Sequence, residues 1–235
     1  DGFLNIISIF SFIGISLGVA VLIIVMSVMN GFRAELINKI VGFNAHVTVK
    51  PYDSPINLKK LNNTNLKKIS KEFIFSNSGE GIVISKYNTK GLVLRGYNSK
   101  DFSKLDVIKN GDLIGQSNKL SQNSISIGKE LSFNLDLGVG DRVSIMSSVG
   151  IETIIGSLPK QETFIISSIF DSGVADFDAN IVFINLNTLE NFFDLEKENR
   201  NLEIYLNNPS NISEVKTQIQ KIFNNEFVYT WADMN

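Results

Sequence analysis

The chain has 235 residues, 43% of them hydrophobic and 20% charged, and its 22 Lys and Arg against 24 Asp and Glu leave a net charge of −2. That balance gives no electrostatic footprint for nucleic acid. The absence of cysteine removes thiol catalysis, disulfides and thiolate metal sites.

No charged residue occurs from Gly2 to Phe32. A helix of ~30 residues is ~45 Å long, more than the ~30 Å hydrocarbon layer requires. A signal peptide would carry an apolar core of only ~7–15 residues before a cleavage site, whereas this run continues into NGFRAELINKI. Residues 1–32 are therefore predicted to form a transmembrane helix. Ser11, Gly14 and Gly18 share a strip that contains a GxxxG, the pattern that lets a second helix approach closely; small residues are also common in membrane helices generally. Charge does not set an orientation: the chain starts at Asp1, reads as a fragment without its upstream flank, and Arg33 and Lys39 are offset by Glu35.

Beyond the span about 200 residues remain, enough for one large or two small domains. The helix is expected to extend to about Gly42, since glycine commonly follows a helix end. Alternation in Ala45–Lys50 marks a strand, and Pro51 and Pro55 mark a loop. Leu58, Leu61, Leu66, Ile69 and Phe73 form an imperfect helical stripe. Strands at Gly81–Ser85 and Gly91–Tyr97 then give the order β-α-β-β, half of a ferredoxin-like unit. From Asn98 to Asp194 short strands alternate with glycine turns. These are Ser124–Ile127, a short helix Gly128–Leu135, a turn Gly138–Asp141 into Arg142–Met146, strands Thr163–Ile169 and Asn180–Ile184, and a helix Asn187–Phe193. Leu202–Leu206 is a strand, Pro209 and Ser210 open a helix with Val215, Ile219 and Ile222 on its buried face, and Phe227–Thr230 is the last strand. The closing β-α-β can complete the unit begun before residue 98. The predicted fold class is α+β, with a transmembrane helix (1–32), a helix extension and first half-domain (33–97), an inserted β-rich part (98–196) and a second half-domain (197–235).

Phosphate loops of the GxxxxGK[ST] and GxGxxG types are absent, so neither ATP nor a dinucleotide is expected on this chain. His46, the only histidine, reads as a half-buried strand residue. Asp171, Asp176 and Asp178 surround Gly173 without EF-hand spacing or its closing Glu, which favours a solvated turn over a calcium site. Glu130 and Asp141 read as a helix-surface and a turn residue rather than an acid/base pair, and Trp231 as a packing or membrane-interface residue. No catalytic or metal-binding residue is predicted.

One stretch, SSVGIETIIGSLPKQETF, places Ile151, Ile154, Ile155 and Leu158 in an expected loop bounded by Gly150, Gly156 and Pro159. Two readings stay open: a tip folded back on its own domain, and a protruding hairpin whose apolar tip enters a groove on another protein. Burying two Ile side chains there would contribute roughly 3–6 kcal/mol before association costs.

Five segments in order resemble a known family: GVAVLIIVMSVMNGFRAEL leading to GFNAHVTV, GLVLRGY, the run from IKNGDLIG through ISIGKELSFNLDLGVGDRVSIM, GSLPKQETFIISSIFDSGVADFDANIVFINLNTLENFF, and NLEIYLNNPSNISEV. They are similar to LolC/LolE-type permease subunits of the bacterial lipoprotein-releasing ABC transporter, within the MacB-like permease superfamily. The resemblance spans essentially the whole chain. It implies a periplasmic domain with a ferredoxin-like Porter part and an inserted β-rich Sabre part, in an inner-membrane protein of four helices whose last three would follow Asn235. It implies a LolD-like cytoplasmic ATPase that holds ATP and magnesium, with no cofactor on this chain. The other implied partners are a second LolC/LolE-like permease (identical or paralogous), a LolA-like periplasmic carrier, lipoprotein substrates and membrane lipids.

Lipid anchors would enter between the first and second helices, so Ser11, Gly14 and Gly18 with Phe10, Leu17, Leu22 and Met26 would divide between helix packing and the lipid cavity. In LolC the hairpin is a hook that captures the carrier, which implies Thr153, Ile154, Ile155, Gly156, Leu158, Pro159 and Gln161 as hook residues. Two departures stand out. The family's Pro and Met at the tip are Ile154 and Ile155 here, and an Arg beside the position of Gln161 is Glu162, which reverses a charge on the carrier-facing surface. Other parts are as similar to LolE, which implies a hybrid subunit pairing with itself as an alternative to a heterodimer. A MacB-type efflux or mechanotransmission permease would not need the apolar hook; a single-span periplasmic sensor would have no further apolar spans.

Overall fold

The computed structural model describes residues 2–85, 88–115, 119–153, 156–209 and 211–233. The chain forms two units, Asp1–Ile40 and Val41–Asn235. Helix α1 (Gly2–Phe43) has 42 residues and is therefore ~63 Å long. An 18-residue window of its Asn5–Phe43 part has a mean hydropathy of 2.8 and none of that window is buried, so α1 is long and apolar enough to cross a membrane. Gly42 lies inside the last turn rather than just past it.

The second unit continues with β1 (Val47–Lys50), a 3-10 turn (Leu58–Asn62), α2 (Thr64–Ile69), β2 (Ser70–Ile84), β3 (Thr89–Tyr97), α3 (Ser99–Phe102), α4 (Asp106–Lys109) and β4 (Asp112–Gly115). It goes on through β5 (Ser124–Gly128), α5 (Lys129–Leu135), β6 (Arg142–Thr153), β7 (Gly156–Asp171), α6 (Ala175–Asn180), β8 (Ile181–Asn185) and α7 (Leu186–Phe193). It closes with β9 (Asn201–Leu206), α8 (Ile212–Ile222) and β10 (Phe227–Thr230). The helical stripe from Leu58 to Phe73 is in fact two short pieces, each started by its own asparagine. The Asn57 side chain accepts from Lys59 N, and the Asn63 side chain from Asn65 N and Leu66 N. Phe73 belongs to β2, which starts at Ser70 rather than Gly81.

Four strands lie in the order β10-β1-β9-β2, each antiparallel to its neighbour. With α2 and α8 as the crossings, this is the ferredoxin-like arrangement. Its core joins Val47, Val49, Leu202 and Ile204 of the strands to Leu66 of α2 and Ile219 of α8.

The length of β2 lets it serve a second structure. Beyond Ser76 it leaves β9, and from Gly81 to Ile84 the same edge pairs with β6 while the other edge pairs with β3. From β3 the pairing runs to β8, β5, β7 and β6 and so returns to β2. The ring is closed. Among the described residues β4 adds to β7 alone. Closure removes the free edges that short strands would otherwise expose. Alternate residues turn inward into one cluster: Val83, Leu92, Leu94, Ile125, Ile127, Val143, Ile145, Phe164, Ile166, Val182 and Ile184. Leu131 and Leu135 of α5 and Leu189, Phe192 and Phe193 of α7 pack into the same cluster. The strand expected as the last of the first ferredoxin-like half, β3, is thus a stave of this barrel.

Candidate functional site

Three of the quoted segments meet at one buried charge network in the second unit. GFNAHVTV supplies Phe43 and Asn44, GLVLRGY supplies Arg95 and Tyr97 on β3, and NLEIYL supplies Glu203 and Tyr205 on β9. Because β2 lies between β3 and β9, residues far apart in sequence converge across it. Glu203 accepts from Ser76 Oγ at 2.6 Å, from Tyr97 at 2.9 Å and from Tyr205 at 2.9 Å. Arg95 Nη2 lies 3.4 Å from Glu203 Oε1 and donates to the Tyr97 hydroxyl at 2.5 Å, while Nη1 donates to Asn44 Oδ1 at 3.2 Å. The Arg95 and Glu203 side chains are only 13% and 7% exposed.

The Arg95 guanidinium also sits 5.5 Å from the ring centres of Phe43 and Tyr97. Phe43 stacks on Phe177 at 4.5 Å and tilts against Phe183 at 5.8 Å, so the last residue of α1 is held in an aromatic cluster. No basic residue occupies the last turn of α1; Arg95 brings a cation to the adjoining Asn44 instead, the sign that a helix C-terminus favours. Burial first, with Glu203 beside them and Arg95 opposing, pushes the Tyr97 and Tyr205 phenols well above their usual range. They stay protonated and donate. Burial disfavours the Arg95 charge, but Tyr97 and Glu203 more than offset this and raise its pKa. Such a network holds strands and a helix end in one arrangement.

The second feature is the hairpin of β6 and β7, whose arms are strands where a loop is expected. Met146 pairs with Gln161, then the register shifts, and Gly150 pairs with Pro159, Ile151 with Leu158 and Thr153 with Gly156. The bulge falls where β6 leaves the barrel: Ser147 is its last partner on β2, and Ser148 Oγ donates to the Glu80 carbonyl at 2.7 Å. Past the bulge, among the described residues, the two arms pair only with each other. Leu158 is 51% exposed, and Pro159 beside it is exposed as well. Ile154 and Ile155, the expected tip, lie outside the described residues. Gln161 is in the barrel wall, on the other side of the bulge from the remaining hook residues. Lys160 anchors the base, donating to the Asn191 carbonyl of α7 and lying 4.0 Å from both Glu162 and Asp194. The charge that Glu162 places there thus faces a lysine of its own chain. Gly156 has φ +118°, and an added Cβ would meet nothing within 4 Å, so only the backbone conformation demands glycine. Gly156→Ala is expected to destabilise the hairpin by about 1–3 kcal/mol with little change in the melting of the barrel, which amide exchange along β6 and β7 would resolve.

The sequence matches the MacB-like periplasmic core domain family over residues 8–222. The chain belongs to that family. A relative from Xylella fastidiosa, named lipoprotein-releasing system transmembrane protein LolC, is 27% identical over 197 residues, covering 81% of this chain and 47% of its own length. A LolC from Buchnera aphidicola of Acyrthosiphon pisum is 30% identical over 244 residues, covering 98% of this chain and 57% of its own. The chain therefore spans about half the length of these relatives. Among solved structures, the periplasmic region of MacB from Actinobacillus actinomycetemcomitans aligns at 9% identity and TM-score 0.48, over 83% of this chain and 95% of that one.

In this MacB-like domain the other singled-out residues take structural places. His46 is buried rather than half-buried, at 8% exposure, just ahead of β1, and its Nδ1 accepts from Leu206 N at 2.8 Å. Burial foremost, with Lys71 adding and Asp106 opposing, lowers its pKa below the usual 6.5. The unfolded chain therefore takes up this proton at higher pH than the folded one. Stability is complete above pH 6.5 and is lost as pH falls from there through the folded-state value. His46→Gln, which keeps an acceptor for Leu206, is expected to flatten that part of a melting-temperature profile against pH.

The acidic loop is not a solvated turn throughout. Asp176 and Asp178 fall in α6, Asp178 is 3% exposed, and it accepts from Ser172 N at 2.9 Å; burial foremost pushes its carboxyl up. Asp171 pairs with Lys129 at 2.9 Å. Among the described residues no group of His, Cys, Asp or Glu is placed to hold a metal ion. Glu130 is in the first turn of α5, Asp141 accepts from Gly138 N at 2.7 Å, and Trp231 opens a terminal 3-10 turn. On α1, Leu17, Leu22 and Met26 are 65%, 61% and 62% exposed, Ser11 is exposed, and Gly14 and Gly18 have nothing within 4 Å of an added Cβ.

Sequence reading missed Arg95, Tyr97, Glu203 and Tyr205. A signal was present: a lone Arg and a lone Glu each interrupt an apolar strand, in GLVLRGY and NLEIYL.

Proposed function

We propose that the chain is part of an ABC transporter permease subunit that extracts outer-membrane-destined lipoproteins and passes them to a periplasmic carrier. The observation that carries this reading is the β6–β7 hairpin, running past the barrel on two strands and exposing Leu158 and Pro159, in a chain whose relatives are named lipoprotein-releasing system proteins. In this reading α1 lies in the inner membrane and further spans follow in the whole protein. The second unit lies in the periplasm, and a separate LolD-like subunit hydrolyses ATP with magnesium. The chain itself is not an enzyme. A second permease copy or paralogue packs along Ser11, Gly14 and Gly18, while Leu17, Leu22 and Met26 face the lipid cavity. Residues 33–97 and 197–235 form the Porter-like part and 98–196 the Sabre-like part, a division supported by the β10-β1-β9-β2 order, with β2 shared by the two and β3 on the barrel side. Thr153, Ile154, Ile155, Gly156, Leu158, Pro159 and Gln161 form the carrier-facing hook.

The test is photo-cross-linking in cells from Ile155 and Leu158, with Lys50 as control. A small periplasmic lipoprotein carrier captured from the hairpin alone is the expected result. Capture of an efflux adaptor instead would move the chain to a MacB-type pump. A silent hairpin, protected from protease, would overturn the hook.

A further inference from the structure

A cleft, independent of the transport reading, lies where β2 is bulged. The pairing of β2 with β9 shifts between Ser70, opposite Leu206, and Glu72, opposite Tyr205, which leaves Lys71 as the extra residue. Bulges re-aim the side chain they insert. Here Lys71 lines a cleft of about 290 Å³ together with His46, Glu72, Lys104, Asp106 and Lys109. That volume is at the small end for ligand pockets.

The charges in this cleft are not all spent on each other. Lys104 is held by Glu72 at 3.1 Å and by Asp101 at 3.3 Å. Among the described residues no ion pair engages Lys71, Lys109 or Asp106. His46 gives the cleft a buried floor. Since its Nδ1 accepts from Leu206 N, the neutral ring carries its proton on Nε2; this donor has no polar partner among the described residues and is not sealed from solvent. An anionic acceptor at Nε2 would replace water there with a charge-assisted hydrogen bond. Lys71 and Asp106 line the same cleft and act on the His46 ring with opposite signs. A simple anion would meet the lysines and His46 favourably but would be repelled by Asp106. A ligand carrying both signs satisfies all of them.

We propose that this cleft binds a small zwitterion, its oxyanion taken by His46 Nε2–H, Lys71 and Lys109 and its primary ammonium by Asp106. The shared chemistry is that of a phosphoethanolamine group, free or as a lipid headgroup. His46 is the only histidine of the chain, so one imidazole signal reports on the site. In uncharged maltoside micelles, O-phosphoethanolamine is expected to shift the His46 resonance saturably, and to bind at least about tenfold more tightly than inorganic phosphate. Lys71→Met and Asp106→Asn are each expected to weaken binding about tenfold, the effect of one lost charged contact. A second arm replaces the micelles by bilayer discs without soluble ligand. A His46 shift in phosphatidylethanolamine discs, absent in phosphatidylglycerol discs, assigns the lipid source; a shift with the soluble probe alone assigns a free zwitterion. A His46 signal unmoved by about 10 mM O-phosphoethanolamine would overturn the site. Equal binding of phosphate, or an Asp106→Asn variant that binds as tightly, would overturn its zwitterion character.

Discussion

Glu203→Ala is expected to destabilise the second unit by about 3–5 kcal/mol, enough to unfold a domain of ordinary stability. Glu203 is 5% exposed and its carboxylate is the common acceptor for Ser76, Tyr97, Tyr205 and Arg95. Its removal strands the Arg95 cation, which cannot shed its proton as a lysine could, with only Asn44 and the Tyr97 hydroxyl as polar contacts among the described residues. It also deprives the Ser76 and Tyr205 hydroxyls of the bonds they make to it. The double replacement of Arg95→Met with Glu203→Leu removes both charges, so its loss should fall short of the sum of the single losses by at least about 1.5 kcal/mol. Urea unfolding of the four proteins measures the coupling. A loss below about 1 kcal/mol for Glu203→Ala would mean that water reaches Arg95 and that the network does not hold the end of α1.

The parts of this structure legible in the sequence are those whose cause is local. Strand alternation located β1, β3, β5, β8, β9 and β10 to within a few residues, and the apolar run located α1. The asparagine caps at Asn57 and Asn63 were also readable, and overlooking them merged two short pieces into one helix. Helices α3 and α4 and strand β4 have four residues each, too few for any period to show. Barrel closure was not legible, because it depends on a single strand, β2, changing partner from β9 to β6 along one edge. That is a fact of long-range register rather than of local pattern. The Arg95–Glu203 pair spans 108 positions and its two charges look like isolated exceptions until β2 brings their strands together. The hairpin was placed correctly between its strands, but its arms were read as loop because glycine and proline at Gly150, Gly156 and Pro159 usually end strands. Here Gly150 and Pro159 sit opposite each other on a two-stranded ribbon past the barrel.

Gly128→Ala is expected to be the most damaging methyl that can be added to the barrel, at more than about 3 kcal/mol. Gly128 ends β5 and immediately precedes α5, inside the ISIGKEL segment, and a Cβ there would overlap the backbone of Asp178, coming within 2.6 Å of its carbonyl carbon. No rotamer change relieves a collision with main chain. Either α6 retreats, against the bonds from Ser172 N to Asp178 Oδ1 and from Asp178 N to the Val174 carbonyl, or β5 moves. The second course is worse, since β5 is held by β8 on one edge and β7 on the other. Displacing it opens the ring that carries the base of the hairpin, so the same substitution should also abolish cross-linking from Leu158. Gly140→Ala is the comparison: with φ +93° and nothing within 4 Å of an added Cβ, it is strained but unobstructed, and about 1 kcal/mol is expected. Melting temperatures of the two variants separate obstruction from strain. Equal values would mean that α6 can part from β5 without opening the ring; a folded Gly128→Ala protein that still cross-links from Leu158 would mean that the hairpin does not depend on barrel closure.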